Sequence, residues 1–285
     1  MKNLEVEHRR DVKNSPGKAP RPIGLNLPGV PIFNYHGLAD TFSHQTSQAA
    51  QRYWLSPTTF RSHLAHIRDQ GFQTALLGEL KDRTSKMPAV ILTFDDGLAS
   101  DYEIAFPLLE EMGMRAIFFL NTTTIGQAGY LDWTQIEEMR RHGMSIQSHS
   151  HRHVDLTVLP ALELDAELTE SKRRLEDRLG SEVDFLAAPH GLLDRRVVRR
   201  ALALEYRAVC STRCWPASPD STVLTRITLH REVQTEEFNG FLTGNLWPYA
   251  RRLSRGLLHR PVAIASHLCG VLRYRWLKQP ATVSK

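Results

Sequence analysis

Short apolar runs alternate with amphipathic stretches along most of this 285-residue chain. Ala89-Val90-Ile91-Leu92 is short and continuous, the pattern of a strand buried on both faces. Residues 30–35, 72–77, 115–120, 144–148, 183–188 and 206–211 read as further strands, with one or two more at 223–229. Helical patterns lie between them. Ser56-Pro57 opens one, with Pro at the first helical position; Phe60, Leu64 and Ile67 make its apolar face and Gly71 ends it. Residues 100–112 form a second, closed by Gly113. Thr134 and Glu137, at capping-box spacing, open a third that reaches His142. Residues 161–179 form the clearest: Leu164, Leu168, Leu175 and Leu179 face inward and Gly180 stops it. Residues 194–204 make a fifth. Strand and helix alternating through short links predict a parallel α/β fold. Seven or so such units favour a barrel over a doubly wound sheet. No Gly-x-Gly-x-x-Gly or phosphate-loop pattern appears, so a nucleotide fold has no support.

Composition is that of an ordinary globular protein, with 41% hydrophobic and 24% charged residues. The formal charge of +5 is unevenly spread. After Glu237 there is no acidic residue, while Arg251, Arg252, Arg255, Arg260, Arg273, Arg275, Lys278 and Lys285 are basic. Those eight exceed the net charge of the whole chain, so the remainder is net negative, and nucleic acid is not the expected partner. Three cysteines are too few for a disulfide framework. Residues 1–28 read as a flexible arm: they carry Pro16, Pro20, Pro22 and Pro28 and lack the apolar core of a signal peptide. No apolar run reaches the ~20 residues of a spanning helix. The expected location is cytoplasmic, with peripheral contact to the inner membrane as an option for the tail. In residues 238–285, Leu246, Tyr249, Leu253 and Leu257 keep helical spacing, with Arg251, Arg252 and Arg255 on other faces. Two readings stand open: a helix packed on the barrel with a solvated basic face, and a cationic amphipathic segment lying on an anionic membrane.

Chemistry concentrates where the predicted strands end. His36, Asp95, Asp96, Asn121, His149 and His190 all sit at or just past such ends, where a parallel barrel collects its active site. In Thr93-Phe94-Asp95-Asp96-Gly97, adjacent side chains on extended backbone point apart unless a turn re-aims them, and Gly97 permits that turn. One carboxylate is then available to a metal while the other stays free as a base; the plainer alternative is a turn that caps the next helix. In Ser148-His149-Ser150-His151-Arg152-His153, the four-residue spacing of His149 and His153 brings both imidazoles to one side on a helical turn, with His151 as an outer neighbour. Two imidazoles and a carboxylate suit Zn²⁺ or a similar divalent ion.

These two motifs, in this order, resemble the polysaccharide deacetylases, the NodB-homology group of carbohydrate esterase family 4. Asn34-Tyr35-His36, Tyr130-Leu131-Asp132-Trp133 and Pro189-His190-Gly191 add to the likeness, which covers about residues 30 to 230. The branch most resembled is the one acting on poly-N-acetylglucosamine exopolysaccharides. The resemblance implies a distorted (β/α)7, TIM-like barrel at 29–237 with a short basic helical extension at 238–285. It implies Asp95 as general base, Asp96, His149 and His153 as metal ligands, and hydrolysis of N-acetyl groups on an amino-sugar polysaccharide or its precursor. Two alternatives stay open: a deformylase or deacetylase of a lipid-linked or small amino sugar, and a catalytically silent carbohydrate-binding homologue. Ala187 stands where the family's third motif carries an Arg that orients the base. The family's late Leu-x-x-His motif has no clean match, since Thr228-Leu229-His230 fits poorly, so His36 is the candidate acid. His190, Pro189, Trp215 and Asn121 are candidate substrate contacts; a plain loop residue is the competing reading of His190.

Overall fold

A computed structural model describes residues 27–41, 51–80 and 87–259, with side chains to residue 253. The arm at 1–28 and the tail positions from Arg260 onward, Arg273, Arg275 and Lys278 among them, lie outside those residues but for Leu27 and Pro28. Nine strands form one sheet among the described residues: β1 Ile32–Tyr35, β2 Gln73–Thr74, β3 Ala89–Asp95, β4 Ile117–Leu120, β5 Ser145–Ser148, β6 Phe185–Ala187, β7 Ala208–Ser211, β8 Val223–Thr225 and β9 Ile227–Thr228. They run in the order β8-β7-β6-β5-β4-β3-β1-β9, with β2 paired on β3, and every pairing is parallel. The two ends of that order, β8 and β9, are separated in sequence by one residue, Arg226. The chain pairs with β7 up to Thr225 and with β1 from Ile227, so a single segment spans the seam and the sheet forms a nearly closed barrel.

Alternation along the strands divides the core in two. Ile32, Ile91, Ile117, Phe119, Ala187 and Leu224 belong to a cluster inside the barrel. Their neighbours Phe33, Leu92, Phe94, Phe118 and Leu120 join the larger cluster under the helices. Thr93 and Asp95 share the parity of Ile91, and Asn34 that of Ile32, which delivers polar groups into the barrel at its C-terminal end.

The helix Pro57–Asp69 is capped as expected, the Ser56 hydroxyl accepting the Thr59 N–H at 3.0 Å. The helix Ala161–Leu179 buries Leu164, Leu168, Leu175 and Leu179, and with them Glu167 and Ser171. Three expectations shift. The strand at 72–77 shrinks to two residues before a short 3₁₀ turn at Leu77–Glu79. The helix at 100–112 splits into a π-turn over Asp101–Ala105 and an α-helix over Phe106–Glu111, with Pro107 removing an N–H at the junction. The capping box moves to Asp132 and Gln135, which bond reciprocally at 2.9 Å. Leu131 is held by the Gly97 carbonyl, so the chain is free to turn into the helix one residue later, before Thr134 is reached.

Past residue 237 the chain keeps packing on the same core. Phe238 and Phe241 of the helix Thr235–Leu242, and Tyr249 of the helix Leu246–His259, are fully buried there. Arg252 donates to the Thr228 carbonyl at 2.8 Å. The start of the tail therefore takes the packed reading. The side chains of Arg255 and Leu257, on which the membrane reading also drew, lie outside the described residues. No helix among the described residues is long and apolar enough to cross a membrane.

Candidate metal and catalytic site

Asp95 closes β3 with its side chain inside the barrel, and Asp96 breaks the alternation. Its φ of +79°, followed by +69° at Gly97, puts two successive residues in the left-handed region. A Cβ on Gly97 would come within 2.8 Å of a terminal methyl of Leu120, so any other residue would also have to displace that side chain. The turn re-aims Asp96 away from Asp95, as the Asp-Asp-Gly reading requires. Asp96 Oδ1 lies 3.5 Å from His149 Nε2 and 3.2 Å from His153 Nε2. The three ligand atoms lie within 4.8 Å of one another.

The histidine pair meets by a different route from the one its spacing implied. Residues 149–153 form no helical turn; Ser150 and His153 instead take φ of +67° and +58°. His149 is buried, and its Nδ1–H donates to the Ala187 carbonyl at 2.8 Å. In the neutral ring that bond fixes the tautomer, leaving Nε2 free of a proton and facing Asp96, as a metal ligand needs. The donor set therefore fits a divalent ion. Burial pushes His149 down, but Asp95 and Asp96 outweigh it and hold its pKa raised. His151 turns aside to Thr122, 2.7 Å away, and remains an outer neighbour.

Asp95 is held by a group that sequence reasoning missed. Arg226, fully buried at the barrel seam, donates Nη1 to Oδ1 at 2.7 Å and Nη2 to Oδ2 at 2.8 Å. Asn34 adds a bond to Oδ2 at 3.0 Å. Arg226 also reaches Asn34 Oδ1 and Thr93 Oγ1, and its guanidinium lies 5.2 Å from the centre of the Phe119 ring. Burial alone would raise the Asp95 carboxyl, but the Arg226 guanidinium and His149 hold it well below the usual carboxylate range. Ala187 leaves no gap: its carbonyl orients His149, and the guanidinium arrives from the other side of the barrel. A signal for it was present, because a lone Arg inside the apolar run 223–229 must find a partner if that run is buried.

The other candidates separate. His36 is half-buried, with Nδ1 enclosed and unpartnered and its ring 5.4 Å from that of Tyr53, an exposed aromatic. Burial lowers its pKa, against the pull of Asp95 and Asp96. His190, exposed at φ +58°, continues the imidazole row with its ring centre 4.8 Å from that of His153. Pro189 is buried and starts the tight turn that carries His190. Asn121 is buried too; its amide donates to the Asp96 carbonyl at 3.2 Å, so it braces the metal turn and offers a ligand no exposed group. Trp215 packs on Tyr249 with ring centres 5.9 Å apart, and its carbonyl accepts from Thr225, which ties it to β8 and the tail.

An Asp–His–His triad beside a separately tethered carboxylate, at the C-terminal mouth of a parallel barrel, forms a candidate metal centre. The family model for polysaccharide deacetylase matches residues 82–209. YxkH of Bacillus subtilis (strain 168), named for the same family, is 27% identical over 235 residues, 81% of this chain and 78% of that protein. The Streptococcus pyogenes deacetylase PplD, solved in complex with acetate, matches with a TM-score of 0.69 at 25% identity, over 76% of this chain and 99% of that one. Over residues 82–209, and through these relatives, the chain is similar to the polysaccharide deacetylases, hydrolases acting on N-acetyl amide bonds. IcaB from Ammonifex degensii matches with a TM-score of 0.65 at 19% identity, over 78% of this chain and 97% of that one. The expected closeness to the poly-N-acetylglucosamine branch reduces to this distant likeness of fold.

Proposed function

We propose that this chain is a metal-dependent deacetylase of amino-sugar residues in a glycan or glycan precursor. Asp96, His149 and His153 hold the ion, Asp95 is the base, and His36 is the acid. The observation that carries the reading is the His149 Nδ1–H bond to Ala187, which turns Nε2 toward Asp96 and His153. A divalent ion there, Zn²⁺ first among candidates, supplies Lewis-acid polarisation of the amide and acidifies water toward neutral pH. Asp95 accepts a proton at the oxygen edge left open by Arg226 and Asn34. A carboxylate held this low is a weak base, so it works only against an already acidified proton donor. His36 delivers a proton to the leaving amine; burial lowers its pKa, against the pull of Asp95 and Asp96, and so eases release of that proton. Tyr53, beside His36, gives an apolar ring on which a sugar face can stack.

Protein stripped with chelator and then reloaded with Zn²⁺ is expected to release acetate from N-acetylglucosamine oligomers only after reloading. Release that survives stripping would overturn the metal dependence. No release from a stoichiometrically loaded protein would move the reading to a formylated or lipid-linked amino sugar.

The tail carries a finer reading, contact with an anionic membrane. Trp247 is 58% exposed with Arg251 over its ring, and no acidic residue follows Glu237. The wild-type chain is expected to float with liposomes containing anionic lipid, and a variant carrying Trp247→Ala and Arg251→Glu to float less. Equal flotation of the two sinks the idea.

A further inference from the structure

The loop between the two histidine ligands is held from below by one side chain. Glu167, on the inner face of the helix Ala161–Leu179, is 1% exposed. Its Oε2 accepts the backbone N–H of His151 at 3.0 Å and of Arg152 at 2.9 Å, and its Oε1 accepts from Arg152 Nε. Successive amides converging on one anion make a nest, a concavity that forms when the chain passes through the left-handed region. Here that residue is Ser150. One turn further along the same helix, Ser171 bonds the Ser148 hydroxyl at 2.7 Å, and Ser148 Oγ in turn accepts the Ser150 N–H at 3.2 Å. Two residues four apart on one helix thus fix the chain before, within and after the left-handed step. His153 depends on this path, because its own φ is +58° and its N–H donates to Ser150 Oγ.

We propose that Glu167 is a positioning residue for the metal centre: its carboxylate holds the 150–152 backbone in the conformation that brings His153 to Asp96 and His149. The proposal rests on reading Asp96, His149 and His153 as the metal site. Backbone strain at non-glycine residues persists only where the surroundings over-determine it, and Glu167 supplies that constraint through three bonds. His149 has its own anchor at Ala187, so the expected loss falls on His153 and leaves a weakened site rather than none.

The test is Zn²⁺ affinity, measured by competition with a chromophoric chelator on wild type, Glu167→Gln, Glu167→Ala and Leu175→Val. The last loosens the same helix through its buried face without touching the loop. Circular dichroism first establishes that each apoprotein is folded at the working temperature. Glu167→Ala is expected to lose about 10–100-fold in affinity, the usual cost of removing a group that orients a ligand. Glu167→Gln, which keeps one acceptor oxygen but turns an NH₂ toward Arg152, is expected to lose less. Leu175→Val is expected to melt earlier at unchanged affinity. Should Glu167→Ala not fold, Glu167→Gln decides. Folded Glu167 variants within twofold of wild type would overturn the positioning role, as would an equal affinity loss in Leu175→Val. A wild type that binds no Zn²⁺ would instead overturn the metal site itself, and the proposal with it.

Discussion

Arg226→Met is expected to destabilise the fold by about 3–5 kcal/mol at pH 7, the usual cost of removing one partner of a buried ion pair. The pair is enclosed: the two side chains are 0% and 3% exposed. Without the guanidinium, Asp95 keeps only the Asn34 bond, and burial pushes its carboxyl up instead of being outweighed. The sign of the pH dependence follows. In wild type the folded carboxyl lies below its unfolded value of about 3.9. Its stabilisation is therefore complete above that value and is lost as pH falls through the lower folded one. In the variant the raised carboxyl takes up a proton on folding, which costs stability above the unfolded value. The gap between the two proteins is thus widest near neutral pH and closes on the acid side. Urea unfolding at pH 7 and pH 3 measures it. A gap under about 1 kcal/mol at pH 7 would show that the pair does not hold the site. Arg226→Lys keeps the charge but not the two-pronged geometry, and is expected to fall between.

The two acidic and histidine motifs were legible because their chemistry is local: an Asp-Asp-Gly turn and a pair of histidines four apart each announce a site within a few residues. Even so, the spacing of His149 and His153 was right for the wrong reason. A helical turn and a loop with two left-handed residues both bring them together, and spacing cannot choose between the two. The helix at 161–179 was legible because its leucines repeat over five turns. The same pattern hid Glu167, a charged residue among buried leucines whose partners are backbone amides with no sequence signature. Arg226 was hidden by distance. It lies 131 residues from Asp95, and only the closing of the barrel through β8 and β9 brings them together. Ala187 stands where the resemblance led one to expect an Arg that orients the base, and the lack of that Arg would favour the silent-homologue alternative. With the guanidinium supplied across the seam, that support falls away. Asn121 and Trp215 were chosen from position at a predicted strand end and from residue type. Neither signal reports which way a side chain points.

Separating what Asp95 does for folding from what it does in catalysis needs two substitutions together. Asp95→Asn is expected to lower deacetylation by about 10²–10⁴-fold, the range for removing a general base. It also leaves Arg226 buried opposite a neutral group, so lost stability alone would explain part of the decline. Asp95→Asn with Arg226→Met removes both charges, and replacing a buried ion pair by neutral groups is often neutral or stabilising. The double variant is therefore expected to unfold at a urea concentration closer to wild type than either single one does. Asp96, His149 and His153 are untouched, so it should bind Zn²⁺ at one equivalent. Acetate release should stay at the level of Asp95→Asn, because regained stability returns no proton acceptor. A folded, Zn²⁺-loaded double variant that deacetylates within about tenfold of wild type, inside the span a base supplies, would leave Asp95 a structural partner of Arg226 and require another base. The remaining candidate would then be His36, whose Nδ1 is unpartnered and which in that variant keeps the Asp96 carboxylate in its field.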